Sequence, residues 1–405
     1  MNGHTPTARR RIAVISTSRA DYGHLYWVLK ALQSRAEIEL KTLAIAAHLS
    51  PQFGDTWQRF EQDGFELAGK FECLLDSDSD VGMAKTIGLC TLSLADALGQ
   101  LRPDLLLLIA DRYEMLAPAS VALALRIPIA HIEGGEISEG AIDDAVRNAL
   151  TKMSHLHFVP TENARRRVLA MGEEAWRVHR TGAPSLDHLN KSPLPDAQTL
   201  SERLQLPLQP APLVVAWHPV TLLADPAAEA ECLFQALSEV AQQDRRPLVF
   251  CFPNADAGRQ AIIERSREFC RAHSQAKLFV NLEHRDYWGL LKQAAALVGN
   301  SSSGIMETPS IALPCVNIGD RQAGRERAAN IIDAPADAAT IAQAIQRALS
   351  PEFRDSLTGM LSPYGDGNAG ERIASVLAGV TLGPDLLRKR ALPLAAKSDA
   401  FEQTA

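Results

Sequence analysis

Residues 104–133 read DLLLLIADRYEMLAPASVALALRIPIAHIE. Two apolar runs of strand length, DLLLLIA and IPIAHIE, flank a stretch long enough for a helix. Strands that are apolar throughout, joined by a helix-length crossover, belong to a parallel sheet covered on both faces; a half-exposed strand would alternate. Both runs end in acid, at Asp111 and Glu133. In open parallel sheets ligands bind beyond the carboxyl ends of the strands. The same thirty residues therefore predict a fold class, α/β with parallel sheets, and a place to look for chemistry.

The pattern extends both ways. RIAVIST (11–17) leads into a helix-like DYGHLYWVLKALQS, followed by IELKTLAIA, and HLHFVPT comes after residue 133. It breaks at 191–212, KSPLPDAQTLSERLQLPLQPAP, where five prolines and no buried-strand run predict a linker. It restarts with LVVAWHP, PLVFCFPN, KLFVNL, AAALVGN and PCVNIG. The expected division is a first domain over 1–190, a second over 212–365, a last helix within 366–380 and a flexible tail over 381–405.

At 405 residues the chain suits two domains of ordinary size. It is 46% hydrophobic and 22% charged, with a net charge of −7 and no basic stripe with interleaved aromatics, so no nucleic-acid partner is expected. Six scattered cysteines without a CxxC pair are expected to be reduced thiols rather than a disulfide framework or a zinc site. No apolar run approaches a membrane span and no apolar leader opens the chain, so a cytoplasmic protein is expected.

Polar residues gather after the apolar runs: SRAD (18–21), DRYE (111–114), HIEGGE (131–136), HPVT (218–221), PNADAG (253–258), GNSSSG (299–304) and GDRQAGR (319–325). In GNSSSGIMETPS a strand runs into a helix start whose free N–H groups, with the Ser301 and Ser302 hydroxyls, suit an anion such as a diphosphate. An ordinary serine cap reads the same way. Glu307 could accept from ribose hydroxyls. Arg19 could clamp phosphate, or else form a surface ion pair with Asp21; Arg321 could do the same work from GDRQAGR, or else sit in a solvated loop. His218 ends a strand, where a functional role competes with a structural one. Asp111 and Glu133 should lie on neighbouring strands, and Asp143 opens a helix where it or Asp144 could be a cap. Carboxylates brought together raise one another's proton affinity, which equips a site for acid–base work. Magnesium is the rival use of such acids.

These motifs together resemble the hydrolysing UDP-N-acetylglucosamine 2-epimerases, in order from about residue 11 to 375. The resemblance implies a GT-B fold, two Rossmann-like domains with the nucleotide sugar in the cleft and a C-terminal helix crossing back. It implies conversion of UDP-N-acetylglucosamine and water to N-acetylmannosamine and UDP, by elimination to a glycal and rehydration with inversion at C2. Sugars of the 2,4-diacetamido-2,4,6-trideoxy type, on the route to legionaminic acid, are the alternative substrate. A non-hydrolysing epimerase and a GT-B glycosyltransferase are the rival readings. Carried over by position, Asp111, Glu133 and Asp143 match the catalytic carboxylates. Arg19, His218, Asn254, Ser301, Ser302, Glu307 and Arg321 match positions that contact UDP. The family usually has Gly where this chain has Ala110, and the spacing after Glu136 leaves Asp143 and Asp144 in competition. A homo-oligomer, dimer or tetramer, is implied. No nicotinamide, other cofactor or metal is expected.

Overall fold

The structure, a computed structural model, describes residues 9–225 and 227–391. Seven strands form a first sheet: β1 (Arg10–Ser16), β2 (Ile38–Ile45), β3 (Leu67–Phe71), β4 (Leu105–Ile109), β5 (Ile129–Ile132), β6 (Leu156–Val159) and β7 (Val178–Arg180). Six form a second: β8 (Leu213–Ala216), β9 (Leu248–Cys251), β10 (Ala276–Phe279), β11 (Ala296–Gly299), β12 (Cys315–Ile318) and β13 (Ile331–Ala334). The orders are β3-β2-β1-β4-β5-β6-β7 and β10-β9-β8-β11-β12-β13. Pairing is parallel throughout. Each order reverses once, between β1 and β4 and between β8 and β11, the switch points where a doubly wound sheet opens a crevice. This is the GT-B arrangement of two Rossmann-like sheets.

The apolar runs become the central strands because both faces are covered. Every residue of β4 is fully buried, and removing one such side chain from water contributes about 1.5–3 kcal/mol. The register Ile109↔Ile132 brings the ends of β4 and β5 level. Immediately beyond them the backbone turns left-handed at Ala110 (φ 57°) and Glu133 (φ 67°). That conformation costs roughly 1–2 kcal/mol for a residue with a Cβ. It is held by Ala110 N–H donating to Ile132 O (2.9 Å) and Glu133 N–H to Phe158 O (2.8 Å). A left-handed φ is the conformation that glycine adopts without strain, so the Cβ of Ala110 is carried here at a cost.

The helix Ala369–Gly379 packs on the first domain although it follows the second. Ile373, Ala374 and Leu377 are buried with β1 and the helix Arg19–Gln33 in one core. Its first two N–H groups, Ala369 and Gly370, donate to the buried Asp187 carboxylate at 2.8 and 2.9 Å.

Four expectations are corrected. The segment 191–212 contains the helix Ala197–Leu204, capped by Asp196 accepting from Thr199 N–H at 2.8 Å. Its Leu200, Leu204, Leu206 and Leu208 are buried against Trp288 and Leu290 of the second domain. Prolines punctuate it without freeing it. The tail expected over 381–405 is tied down as far as Lys389; residues 392–405 lie outside the described residues. The buried Arg177 guanidinium donates to the carbonyls of Leu386 (2.8 Å), Asp385 (3.0 Å) and Arg388 (2.9 Å), and Lys389 meets Glu173 at 2.7 Å. The cysteines are not all free: Cys73, just after β3, is disulfide-bonded to Cys90 on the helix Asp80–Leu101, with Cα atoms 5.1 Å apart. The pair is 17 residues apart and carries no motif, so only the fold reveals it. That helix also has the length and mean hydropathy, 22 residues and 1.3, of a membrane span. Thr86, Thr91 and Ser93 interrupt its apolar run, so it does not stand out in the sequence. Thr86, Cys90, Leu94 and Leu98 make a buried stripe on it, while Leu92 is 73% exposed.

Candidate active site

The stretch His131–Asp144 runs from β5 to the helix Asp143–Met153 and carries five carboxylates with different surroundings. Glu139 is exposed. Asp144 ties the loop to itself, accepting from Ser138 N–H (2.8 Å) and Asn148 Nδ2 (3.1 Å). Asp143 is buried and lies 3.9 Å from Arg321 of the second domain. Neither aspartate caps the helix, and the two differ in environment: Asp143 faces the opposite domain, whereas Asp144 is engaged within its own loop. Glu136 is buried 3.5 Å from Arg325, and burial pushes its pKa up.

Asp111 and Asp143 are shifted in opposite senses. Burial alone would raise the Asp111 pKa, but Arg147, Arg325 and Arg321 outweigh it and hold the carboxyl below the usual range. Arg147 donates directly to Asp111. Burial, and then the charge of Asp111, push Asp143 up to about 6. One acid is held charged and its neighbour holds a proton close to neutrality, the separation of roles that acid–base catalysis uses. Glu133 meets His24 instead, its Oε1 3.1 Å from Nδ1.

The loop is gripped from across the cleft. Glu139 N–H donates to Ala323 O (3.1 Å), Arg325 Nε to Ile137 O (3.2 Å) and Ile142 N–H to Thr221 Oγ1 (3.0 Å). Backbones approach so closely that a Cβ at Gly140 would lie 2.3 Å from Asp320 O. A Cβ at Gly324 would likewise lie 2.3 Å from Ile137 Cγ2, so Gly140 and Gly324 make the contact between domains possible.

Beside the acids, Arg19, His218, Asn254, Ser301, Ser302 and Glu307 line one cavity between the domains. Ser301 caps the helix Ser302–Met306. At five residues that helix has a weak dipole, so hydroxyls and side-chain donors must carry more of any anion binding than the sequence implies. His218 is fixed by Asn300, which accepts from its N–H (2.8 Å) and donates to its carbonyl (2.9 Å). Its Nδ1 accepts from Asn254 N–H at 3.1 Å, which leaves the ring proton on Nε2 as a donor. Burial, then the charges of Arg321, Arg112 and Arg19, keep the ring neutral. Arg19 has no ion pair with Asp21; it reaches the carbonyls of Val280 and Phe252 across the cleft. Arg321 stands apart from this cavity, between Asn300 O (3.1 Å) and Asp143. Among the described residues no group of three or more His, Cys, Asp or Glu side chains is placed to hold a metal.

Three participants escaped the sequence reading. Arg147 lies four residues after Asp143, on the same helix face, and is 1% exposed; a charge on the buried stripe of an amphipathic helix was the available signal. His24 follows Asp21 by three on the helix that SRADYG opens. Tyr287 reaches Ser303 Oγ at 2.6 Å from a helix carrying no motif.

The sequence profile of the family described as UDP-N-acetylglucosamine 2-epimerase matches residues 30–378. The chain belongs to this family. Among its relatives is the GDP/UDP-N,N'-diacetylbacillosamine 2-epimerase (hydrolyzing) of Campylobacter jejuni, 36% identical over 86% of this chain and 90% of that protein. The UDP-N,N'-diacetylbacillosamine 2-epimerase (hydrolyzing) of Legionella pneumophila is 32% identical over 94% and 98%. The UDP-N-acetylglucosamine 2-epimerase of Neisseria meningitidis serogroup B is 30% identical over 84% and 88%. This 2-epimerase therefore groups with the hydrolysing enzymes acting on UDP-sugars, and the glycosyltransferase reading falls away. The fold agrees: the crystal structure of a Neisseria meningitidis UDP-GlcNAc 2-epimerase bound to UDP-GlcNAc covers 91% of this chain and 99% of its own, with a TM-score of 0.73 at 18% identity.

Proposed function

We propose that this 2-epimerase releases UDP and an inverted 2-acetamido sugar from a UDP-2-acetamido sugar and water. The first substrate to test is UDP-N,N'-diacetylbacillosamine, the name carried by the relatives at 36% and 32% identity. UDP-N-acetylglucosamine is the second reading, supported by the relative at 30%. The observation that carries the mechanism is the divided protonation of the acids, Asp111 held charged and Asp143 raised to about 6.

Breaking the bond from C1 to diphosphate develops positive charge at C1 and makes the C2 hydrogen acidic. His218 Nε2–H, the Ser301 and Ser302 hydroxyls and Asn254 stabilise the leaving diphosphate, and Glu307 accepts from the ribose. Glu133 takes the C2 proton, leaving a 2-acetamidoglycal and UDP. Water then adds its hydroxyl at C1, its other proton passing to solvent, while Asp143 delivers a proton to C2 from the opposite face; Glu133 releases the abstracted proton to solvent and Asp143 takes a new one, which resets the site. Asp111, anchored by Arg147, holds the sugar and raises the proton affinity of Asp143, and Arg321 steadies Asp143 across the cleft. A homo-oligomer is part of the proposal, built on the helix Asp80–Leu101, where Val81, Leu89 and Leu92 are exposed.

Proton NMR in D2O with each UDP-sugar tests this. Free inverted sugar with deuterium at C2, together with UDP, is expected, with the higher kcat/KM on the diacetamido substrate. A UDP-linked epimer as product would overturn the hydrolytic reading.

Asp143→Asn separates the half-reactions. UDP release should survive, while sugar formation falls on the order of 100-fold for loss of a general acid, so glycal accumulates as a vinylic NMR signal. In the unmutated enzyme the protonated share of Asp143 declines as pH rises through about 6. The ratio of glycal to sugar should therefore climb with pH. Equal loss of UDP release and sugar formation would place Asp143 in the elimination instead.

A further inference from the structure

His24 projects from the helix Arg19–Gln33 between two carboxylates of different domains. Its Nδ1 is 3.1 Å from Glu133 Oε1 and its Nε2 is 3.6 Å from Glu307 Oε1. Glu133 and Glu307 are 5% and 4% exposed, so water does little to offset their charges. A neutral imidazole donates from one nitrogen only, whereas a ring flanked by two carboxylates donates from both when charged. The remaining groups facing it do not compete. Asp21, on the same helix, is engaged by Thr17 N–H (2.9 Å) and Oγ1 (2.5 Å). His188, held neutral chiefly by burial, bonds Gly23 O at 2.8 Å, and the Arg19 guanidinium is taken by carbonyls. Burial would lower the His24 pKa, but Glu133, Glu307 and Asp21 outweigh it and raise it to about 9. The connection continues into the nucleotide cavity, since Ser303 Oγ donates to Glu307 and meets Tyr287.

We propose that His24 is a positioning residue that keeps the Glu133 carboxylate charged and aimed, and that its contact with Glu307 makes this depend on closure of the cleft around the nucleotide. The proposal rests on the 2-epimerase reading and deepens it. Glu133 can take a proton from C2 only as a carboxylate. Without the imidazolium, the Glu133 carboxylate loses both its donor at 3.1 Å and the counter-charge that faces it. With it, Glu133 is ready when the second domain presents Glu307, which is when the sugar lies in the cleft. A histidine raised in the folded state contributes fully below its unfolded value near 6.5, and the contribution is lost as pH climbs through about 9.

Single-turnover UDP release, which follows the elimination and needs no proton from Asp143, is measured from pH 6 to 10 in the unmutated enzyme, His24→Gln and His24→Lys. The unmutated rate should fall on the alkaline side around pH 9. His24→Gln should be about 10–100-fold slower at pH 7, the scale of a coupling between sites, and lack that limb. His24→Lys should regain most of the rate and carry the limb to higher pH, because lysine stays charged to about 10. His24→Gln with the unmutated rate and limb overturns the proposal, as does His24→Lys no better than His24→Gln. An unmutated enzyme that releases no UDP from either sugar refutes the 2-epimerase reading instead. UDP alone, titrated calorimetrically at pH 7, then decides on His24: weaker binding by His24→Gln, about tenfold, sustains the link to Glu307, and equal affinity overturns it.

Discussion

Glu133→Gln is expected to lower sugar production by about 10³–10⁴-fold, the upper part of what loss of a general base costs, while UDP affinity changes by less than about tenfold. Gln preserves the size of the side chain and an oxygen facing His24 Nδ1, so the contact at 3.1 Å can persist as a hydrogen bond. It cannot take the C2 proton. The left-handed backbone at residue 133, held by its N–H bond to Phe158 O, does not depend on the side chain's charge. Turnover is thus separable from folding and from nucleotide binding. Circular dichroism and UDP calorimetry should match the unmutated enzyme, and deuterium incorporation at C2 should vanish with the rate. A variant that keeps near-normal turnover removes Glu133 from the role of base. One that loses UDP binding in parallel makes it a structural acid of the cleft.

The central strands were legible from their apolar runs, β1, β2, β4, β5 and β6 in the first sheet and β8, β9, β11 and β12 in the second, and so was β10, an edge strand with a short apolar run of its own in KLFV. Those passed over are the edge strands β3, β7 and β13. In β3 the burial alternates between half-buried and exposed positions. β7 is three residues long, with only Val178 buried, and β13 pairs on one side only. An edge strand has less apolar surface to declare itself. The candidate site divides along the same line. Residues at strand ends, such as Glu133 and His218, announce themselves by following an apolar run. Those that act from helix faces are harder to read: Arg147 shows only as a charge on an apolar stripe, and His24 becomes visible only when the helices dock. The interdomain grip was not legible: GDRQAGR stood out as a polar stretch after an apolar run, but nothing in it showed that its partner would be the acid-rich loop.

Arg147→Met should cost about 3 kcal/mol, the lower end for breaking a buried pair, because it removes a buried cation and leaves Asp111, whose side chain is 18% exposed, without its counter-charge. Arg147 is 1% exposed and donates to Asp111, to Ser138 Oγ (2.8 Å) and to Glu136 O (2.9 Å). It therefore anchors both the acid beyond β4 and the loop beyond β5. Burial alone would raise the Asp111 pKa, and the cations, Arg147 first, bring it below the ordinary value. For a carboxyl lowered in this way, the stabilisation is present above the unfolded value near 3.9 and lost as pH falls through the folded one. The unmutated protein should accordingly show no loss from this group between pH 7 and 5. In Arg147→Met the uncompensated carboxyl gains from taking a proton, so the variant should recover stability between pH 7 and 5, the opposite slope. Asp111→Asn combined with Arg147→Met removes the stranded charge and should be more stable at pH 7 than Arg147→Met alone. Urea unfolding of the three proteins at both pH values reads all of this. An Arg147→Met variant within about 1 kcal/mol of the unmutated protein at pH 7, the level of an exposed pair, or a double variant no better than the single, would mean that the charge on Asp111 is balanced by Arg325 and Arg321. The divided protonation of Asp111 and Asp143 would then depend on the second domain closing, and not on the first domain's own helix.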